Sequence, residues 1–309
     1  MDEFSLIRRY FADLTPGGEG IALGIGDDCA LLQPPAGEQL AITSDTLIAG
    51  RHFPVETAAR DVGWKALAVN LSDLAAMGAR PWTFTLALSL PRADAAWLAG
   101  FADGLGALAR EAGIALVGGD TTRGPLSITI TVLGTVPAAA ALRRDGARVG
   151  DLVCVTGTLG DAALALCRWQ AGAIPANDDA RWLRARLDRP TPRLAVGLAL
   201  RGLATAAIDL SDGLAGDLGH ICAASGVGAD IELARLPASA AFRAVADAAD
   251  GAQALQLAGG DDYELCVCIP ATRLADAQRA CGDLPLTAIG RIVAGSALRL
   301  IDASGAIVE

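Results

Sequence analysis

Acidic residues recur along this chain in one setting: beside glycine, serine or threonine, where a short apolar run ends. The clusters are Gly26-Asp27-Asp28, Ser44-Asp45, Ser72-Asp73, Gly118-Gly119-Asp120, Asp209-Leu210-Ser211-Asp212 and Gly259-Gly260-Asp261-Asp262. A short apolar run closed by such a cluster reads as a strand that delivers a carboxylate to a turn. The pattern therefore constrains the chain to sheets whose strand ends gather acids. Small neighbours leave room beside each carboxylate for a hard cation or a phosphate. Gathered carboxylates repel one another, so the arrangement demands bound cations or burial with protons.

A chain of 309 residues has room for about two domains, and its 52% hydrophobic content fills sizeable cores without covalent staples. A net charge of -10 argues against a nucleic-acid partner, because no dense Lys/Arg field is present to attract a phosphate backbone. A nucleotide bridged by magnesium remains compatible, since the metal supplies the positive charge. The seven cysteines show no Cys-x-x-Cys spacing, which excludes a disulfide framework or a zinc cage; Cys266 and Cys268 read as same-face residues of one strand. Met1-Asp2-Glu3-Phe4 lacks a basic segment leading into an apolar one, and no apolar run reaches membrane-spanning length. The expectation is a cytoplasmic enzyme with no membrane partner.

Turn and helix signals divide the chain near 138–148, giving an N-terminal domain over 1–140 and a C-terminal domain over 141–309. In the first, strands are expected over 21–25 and 39–43, a helix over 58–77, a strand over 82–90, a helix over 95–111, then strand, turn at Gly118-Gly119-Asp120, and strand over 126–136. In the second, Gly157-Thr158-Leu159-Gly160-Asp161 turns a strand over 152–156 into a helix whose N–H groups can face phosphate. The segment 174–193 is expected to wrap the surface, with Trp182 and Leu183 anchoring a helical turn; helices over 195–203, 213–224, 238–248 and 271–281 alternate with strands ending near 208, 231, 269 and 293. The order is not a regular βαβ succession. It predicts an α+β protein of two mixed-sheet domains rather than a doubly wound one.

The chemistry follows from the acids. Thr43, Ser44 and Asp45 offer hydroxyl, carbonyl and carboxylate oxygens in one short segment, Asp28 stands in a turn that Gly26 permits, and Asp73 and Asp120 complete a metal or phosphate set, with Asp27 a weaker member. Asp212 is a further candidate ligand, Asp209 and Ser211 candidates for metal or nucleotide, and Arg144 for a nucleotide phosphate. His52 reads either as orienting a substrate phosphate or ring or as an ordinary surface residue, Lys65 as a solvated helix lysine, and the scattered tryptophans as core or interface packing. With only two histidines a multi-histidine metal centre is excluded, and no P-loop, dinucleotide fingerprint or protein-kinase motif is present.

At these residues the sequence resembles the thiamine-monophosphate kinase family, in the wider group typified by aminoimidazole ribonucleotide synthetase and selenophosphate synthetase. The resemblance runs through Gly24-Ile25-Gly26-Asp27-Asp28-Cys29-Ala30, Thr43-Ser44-Asp45, His52-Phe53, Asn70 to Pro81, Gly118-Gly119-Asp120-Thr121-Thr122, Thr156 to Gly160, Asp209 to Leu214 and Gly259 to Leu265. It implies phosphorylation of thiamine monophosphate by ATP, with several magnesium ions held by Asp28, Thr43, Ser44, Asp45, Asp73, Asp120, Asp209 and Asp212. Asp45, Asp73, Asp120 and Asp212 would be the catalytic acids in the sense of metal positioning. Gly119, Asp120, Arg144 and Ser211 match nucleotide contacts, and His52 and Asp261 match acceptor contacts. A homodimer formed through the N-terminal domain is implied as well. Two departures are visible: Asp261 stands where the family commonly has Glu, and no aromatic segment follows Gly305-Ala306-Ile307-Val308-Glu309, so no residue is assigned to stack on the acceptor ring. The residues alone leave open a related ATP-dependent synthetase and a nonenzymatic nucleotide-sensing module.

Overall fold

The computed structural model describes residues 3–15, 17–174, 176–246 and 251–308. Residues 247 and 248 of the helix expected over 238–248, Pro175 of the wrapping segment, and the terminal Met1, Asp2 and Glu309 lie outside the described residues. The chain divides into two compact units, Met1–Leu74 with Ala79–Ala139, and Ala75–Gly78 with Ala140–Glu309.

The first unit runs α1 (Glu3–Tyr10), β1 (Ile21–Leu23), β2 (Leu31–Leu32), β3 (Glu38–Ile48), α2 (Ala59–Ala76, its last two residues in the second unit), β4 (Arg80–Leu90), α3 (Ala95–Ala112), β5 (Ala115–Arg123) and β6 (Ser127–Pro137). Among the described residues its main sheet has the order β3-β6-β4-β5, and β4 and β5 pair in parallel across the α3 crossover. Local chemistry sets the limits of α3: the Asp94 carboxylate caps the amides of Ala96 and Trp97, and Gly113, at φ 65°, ends the helix in the left-handed conformation. Its apolar stripe, Leu98, Phe101, Leu105 and Leu108, is buried. From Val62 to Ala76 helix α2 is buried nearly all round, its polar residues included. Leu67, Leu71 and Leu74 are fully buried, each contributing about 2 kcal/mol through area removed from water. Lys65 is enclosed with them, at 2% exposure, instead of lying on a solvated face. The two helices approach closely because Gly104 has no side chain: a Cβ there would meet the Arg60 carbonyl oxygen at 1.8 Å.

The second unit runs β7 (Leu152–Thr156), α4 (Asp161–Gln170), α5 (Asp178–Asp188), α6 (Leu194–Ala199), β8 (Ala206–Asp209), α7 (Leu214–Ser225) and β9 (Gly228–Glu232). It continues with α8 (Ala240–Val245), α9 (Ala252–Ala258), β10 (Leu265–Ile269), α10 (Leu274–Ala280), β11 (Leu286–Val293), β12 (Leu298–Ile301) and β13 (Ile307–Val308). Among the described residues these strands form a sheet in the order β13-β12-β9-β11-β7-β10-β8. Its centre is covered on both faces. Cys266 and Cys268 face one core with Val153, Ile208 and Ile221, while Leu265, Val267 and Ile269 face another with Val196 and Leu200. That alternation is the period of a strand, and it accounts for the two cysteines as packing residues. All seven cysteines are free.

Both units are mixed sheets with helices, the α+β architecture expected from the irregular order. Three local expectations change. Strand β3 does not end at Thr43 but continues through Ser44 and Asp45 to Ile48, because every residue from Glu38 to Ile48 finds a register partner on β6. Strand β5 likewise continues through Gly118-Gly119-Asp120, where composition predicted a turn, after a one-residue register shift at Val117 against β4. In the 174–193 segment a full helix, α5, is anchored by Leu183 at 1% exposure, whereas Trp182 lies outward at 44%.

Candidate metal and nucleotide site

In the N-terminal unit the acids are carried by regular structure. Because side chains alternate along β3, Thr43 and Asp45 share one face and Ser44 the other. The Thr43 hydroxyl donates to Asp73 Oδ2 at 2.6 Å, and the Asp45 amide donates to Asn70 Oδ1 at 3.1 Å. Asn70 and Asp73 lie one turn apart on α2 and so face β3 together. Asn70 is held by donating its own Nδ2 to the Ala66 carbonyl at 3.1 Å. Ser44 contacts Thr131 Oγ1 at 2.9 Å on the opposite face, so only its main chain lies beside the Thr43–Asp45 cluster.

Burial, then repulsion from Asp73, pushes the Asp45 carboxyl above its ordinary value, with His52 acting in the other direction. His52 is exposed and its Nδ1 accepts the Ile48 amide at 3.0 Å, so the neutral ring carries its proton on Nε2. A hard divalent cation fits this donor set, since it would relieve the repulsion between two carboxylates that share one half-buried place. Among the described residues no three His, Cys, Asp or Glu side chains converge into a ready-made cage. The set suits a cation that takes the rest of its shell from water and phosphate oxygens, as magnesium does.

The other N-terminal candidates stand on other elements, Asp27 and Asp28 between β1 and β2 and Asp120 on β5. Asp27 and Asp28 occupy an exposed turn in which the Asp28 amide donates to Asp27 Oδ1 at 2.8 Å. Asp120 is exposed on β5, three strand spacings or about 14 Å from β3. The register places Asp120 opposite Ala87, and Ala87 opposite Thr129, whereas Asp45 sits opposite Ile130. Gly119 is required there: at φ 146° it brings its backbone so close to β4 that a Cβ would stand 1.8 Å from the Leu86 carbonyl oxygen.

In the C-terminal unit Asp209 closes β8 and is buried, while Ser211 and Asp212 occupy the turn into α7. The amides of Ser211, Asp212 and Gly213 all donate to Asp217 Oδ2 at 3.1 Å. Asp261, at φ 67°, and Tyr263, at φ 49°, hold left-handed conformations that cost about 1–3 kcal/mol each in non-glycine residues. They are clasped to the neighbouring turn: the Asp261 amide donates to the Ser211 carbonyl at 2.9 Å and the Tyr263 amide to the Leu210 carbonyl at 2.8 Å. Arg144 lies on an exposed 3-10 turn whose carbonyl accepts Ser225 Oγ at 2.7 Å.

The turn before α4 is held by its neighbours. Three of its own amides are engaged internally: Gly160 N donates to Asp262 Oδ2 at 2.8 Å, Leu159 N to the Pro237 carbonyl and Gly157 N to the Pro285 carbonyl.

The sequence gives no individual role to Asn70, Asp217 or Glu264, and it marks Asp262 only as a member of the Gly259-Gly260-Asp261-Asp262 cluster. Glu264, fully buried, accepts Thr156 Oγ1 at 2.7 Å, Arg186 Nη2 at 3.0 Å and a two-pronged contact from Arg193. Asn70 was detectable, because its spacing of three from Asp73 on a helix puts both on one face. The arginine partners of Glu264 lie 71 and 78 residues away in sequence and carry no local signal.

The AIR synthase related protein N-terminal domain family matches residues 26–136, and the corresponding C-terminal domain family matches residues 148–303. Thiamine-monophosphate kinase of Escherichia coli strain K12 is 50% identical over 297 residues, which cover 94% of this chain and 90% of that one. The crystal structure of thiamine-monophosphate kinase from Stenotrophomonas maltophilia K279a superposes with a TM-score of 0.90 at 53% identity, covering 97% of this chain and 96% of that one. A structure of AaThiL complexed with AMPPCP and TMP gives a TM-score of 0.80 at 29% identity, over 90% of this chain and 87% of the other.

Proposed function

The chain belongs to the thiamine-monophosphate kinase family, within the AIR synthase related group, and from that premise we propose that it transfers the γ-phosphoryl group of ATP to thiamine monophosphate, giving thiamine diphosphate and ADP. The observation that carries this reading is the facing pair Asp45 and Asp73, with the Thr43 hydroxyl between strand and helix, in a chain similar to these kinases along nearly its whole length.

The acceptor is a phosphate whose attacking oxygen is already ionised near neutral pH, so no general base is needed. Catalysis rests on alignment and on compensating negative charge. Magnesium ions, when bound, supply that compensation. Asp28, Thr43, Asp45, Asp73 and Asp120 are their proposed ligands in the N-terminal unit, Asp209 and Asp212 in the C-terminal unit, and Ser44 contributes through its main-chain carbonyl. Gly119, Asp120, Arg144 and Ser211 contact the nucleotide. His52 donates from Nε2 to an acceptor phosphate oxygen, the tautomer being fixed by the Ile48 amide. Asp261 contacts the acceptor from a backbone conformation already set by its bond to Ser211.

Two further parts of the reading concern setting. Seven free cysteines suit a reducing cytoplasm, and among the described residues no helix is long and apolar enough to cross a membrane. Exposed Leu40, Ile42 and Ile48 on one face of the edge strand β3 support a homodimer formed through the N-terminal unit.

The test is ADP formation from ATP and magnesium with thiamine monophosphate, thiamine and an aminoimidazole ribonucleotide-type acceptor in parallel, with products identified by mass. Thiamine diphosphate formed from the monophosphate alone is the expected result. Turnover only with another acceptor would assign the chain to a related synthetase reaction, and nucleotide binding without turnover would make it a sensor.

A further inference from the structure

In the C-terminal unit the two loops that carry candidate ligands are built as one piece. The turn Asp209–Gly213 and the loop Gly259–Glu264 share three main-chain hydrogen bonds, Leu210 N to Glu264 O at 2.8 Å, Tyr263 N to Leu210 O at 2.8 Å and Asp261 N to Ser211 O at 2.9 Å. They also touch closely, since a Cβ on Gly260 would stand 2.4 Å from the Ser211 carbonyl oxygen. On its other side the turn is held by a single carboxylate oxygen. Asp217 Oδ2, on a side chain that is 3% exposed, receives the amides of three consecutive residues, Ser211, Asp212 and Gly213.

Three amides converging at the start of α7 would otherwise make an anion site, and the helix fills it with its own acid. An ordinary helix cap satisfies one or two amides and needs no acid from inside the helix. Here the acid reaches back from the first turn and orders the whole stretch that bears Ser211 and Asp212. That stretch in turn sets Asp261 through the Ser211 carbonyl.

We infer that Asp217 is a positioning residue for phosphoryl transfer: through three amides it sets the direction of Ser211 and Asp212 toward the metal-bound nucleotide and, through Ser211, the place of the acceptor contact Asp261. It touches neither substrate nor metal. The inference rests on the kinase reading for its effect on turnover but not for its effect on nucleotide binding. Its consequence is specific. Loss of the carboxylate misplaces ligands instead of removing them, so metal-dependent affinity and turnover both fall while the ligand residues remain.

The experiment compares wild type with Asp217→Ala, Asp217→Glu and Asp217→Asn, each checked for folding by circular dichroism and thermal unfolding. Two quantities are read: the magnesium concentration at half-maximal AMPPCP binding by calorimetry, and kcat and KM for ADP formation with thiamine monophosphate. D217A is expected to raise the magnesium midpoint and to lower kcat, each by about tenfold or more, the scale that a misplacement of about 1 Å produces. D217N keeps one oxygen for the amides and is expected to recover most of both losses. Should D217A fail to fold, D217E decides, because it keeps the charge and moves the oxygen by one methylene; it is expected to show both deficits. A folded D217A or D217E with midpoint and kcat both near wild type overturns the inference, as does a folded D217N no better than alanine. Wild type that binds AMPPCP with magnesium but forms no thiamine diphosphate overturns the kinase reading, and the midpoint then still tests Asp217.

Discussion

At Asp45 folding and chemistry make opposite demands. Its carboxylate is half-buried and faces Asp73, so the charge that a metal site requires is the charge that the fold alone would avoid. Replacing Asp45 by Asn keeps the shape and leaves its backbone bond to Asn70 untouched, but ends the repulsion. The expected outcome is a loss of turnover of about 100-fold or more together with a melting temperature that does not fall, the trade between activity and stability seen where functional charges are stored. Steady-state kinetics and thermal unfolding without magnesium check both halves; activity within a few-fold of wild type would remove Asp45 from the site. Gly119 presents the opposite case, a residue needed for space. Gly119→Ala must push β5 away from the Leu86 carbonyl, and a cost of about 2–4 kcal/mol in urea unfolding is expected.

Among the elements, the loop from Gly259 to Glu264 shows how distant residues hold a short segment. Glu264 lies in a buried place with Arg186 and Arg193, and Glu264→Gln would leave two guanidinium groups short of their counter-charge. A destabilisation of about 3–5 kcal/mol is expected, measured as a lower denaturant midpoint. Asp262 behaves differently. Burial raises its carboxyl well above the ordinary value of 3.8, against the Gly160 amide and Arg186, which lower it. The fold therefore binds that proton more tightly than the unfolded chain does. The stability this gives is full below the unfolded value and is lost as pH rises through the folded one. Asp262→Asn escapes the loss, so its melting temperature relative to wild type should climb as pH is raised from about 4 to about 8; a pH-independent difference would show that Asp262 is charged in the fold. These features also mark the limit of what the sequence discloses. The apolar runs and the acids beside them were legible, as was the pairing of both cysteines on one strand face. The reach of β3 past Asp45 and of β5 through Gly118-Gly119-Asp120 was not, because pairing with β6 and β4 decides it against local turn composition. Nor was the enclosure of Lys65, which follows from what packs around α2.

For the whole molecule the open face of the N-terminal sheet is the feature left without an intramolecular purpose. Strand β3 is an edge strand among the described residues, and Leu40, Ile42 and Ile48 on one side of it are 43%, 62% and 44% exposed. Natural edge strands are ordinarily guarded by charge or proline, and on this face the alternating positions are Ser44 and Thr46. Both hydroxyls are already engaged across to β6, Ser44 with Thr131 at 2.9 Å and Thr46 with Thr129 at 2.8 Å, so the face presents apolar groups and satisfied polar ones. Such a surface loses little on leaving water, and a second copy of the same face would cover it by two-fold symmetry. Ile42→Lys tests this with little risk to the fold, because the side chain is already in solvent in the single chain. Sedimentation velocity at micromolar concentration should give a dimer for wild type and a monomer for I42K, with I42K keeping a cooperative unfolding transition and losing only the concentration-dependent part of the wild-type midpoint. If the dimer is where the kinase site is completed, I42K should also lose turnover and regain part of it as protein concentration rises. A wild-type chain that sediments as a monomer, or an I42K variant that dimerises unchanged, would remove this face from the assembly.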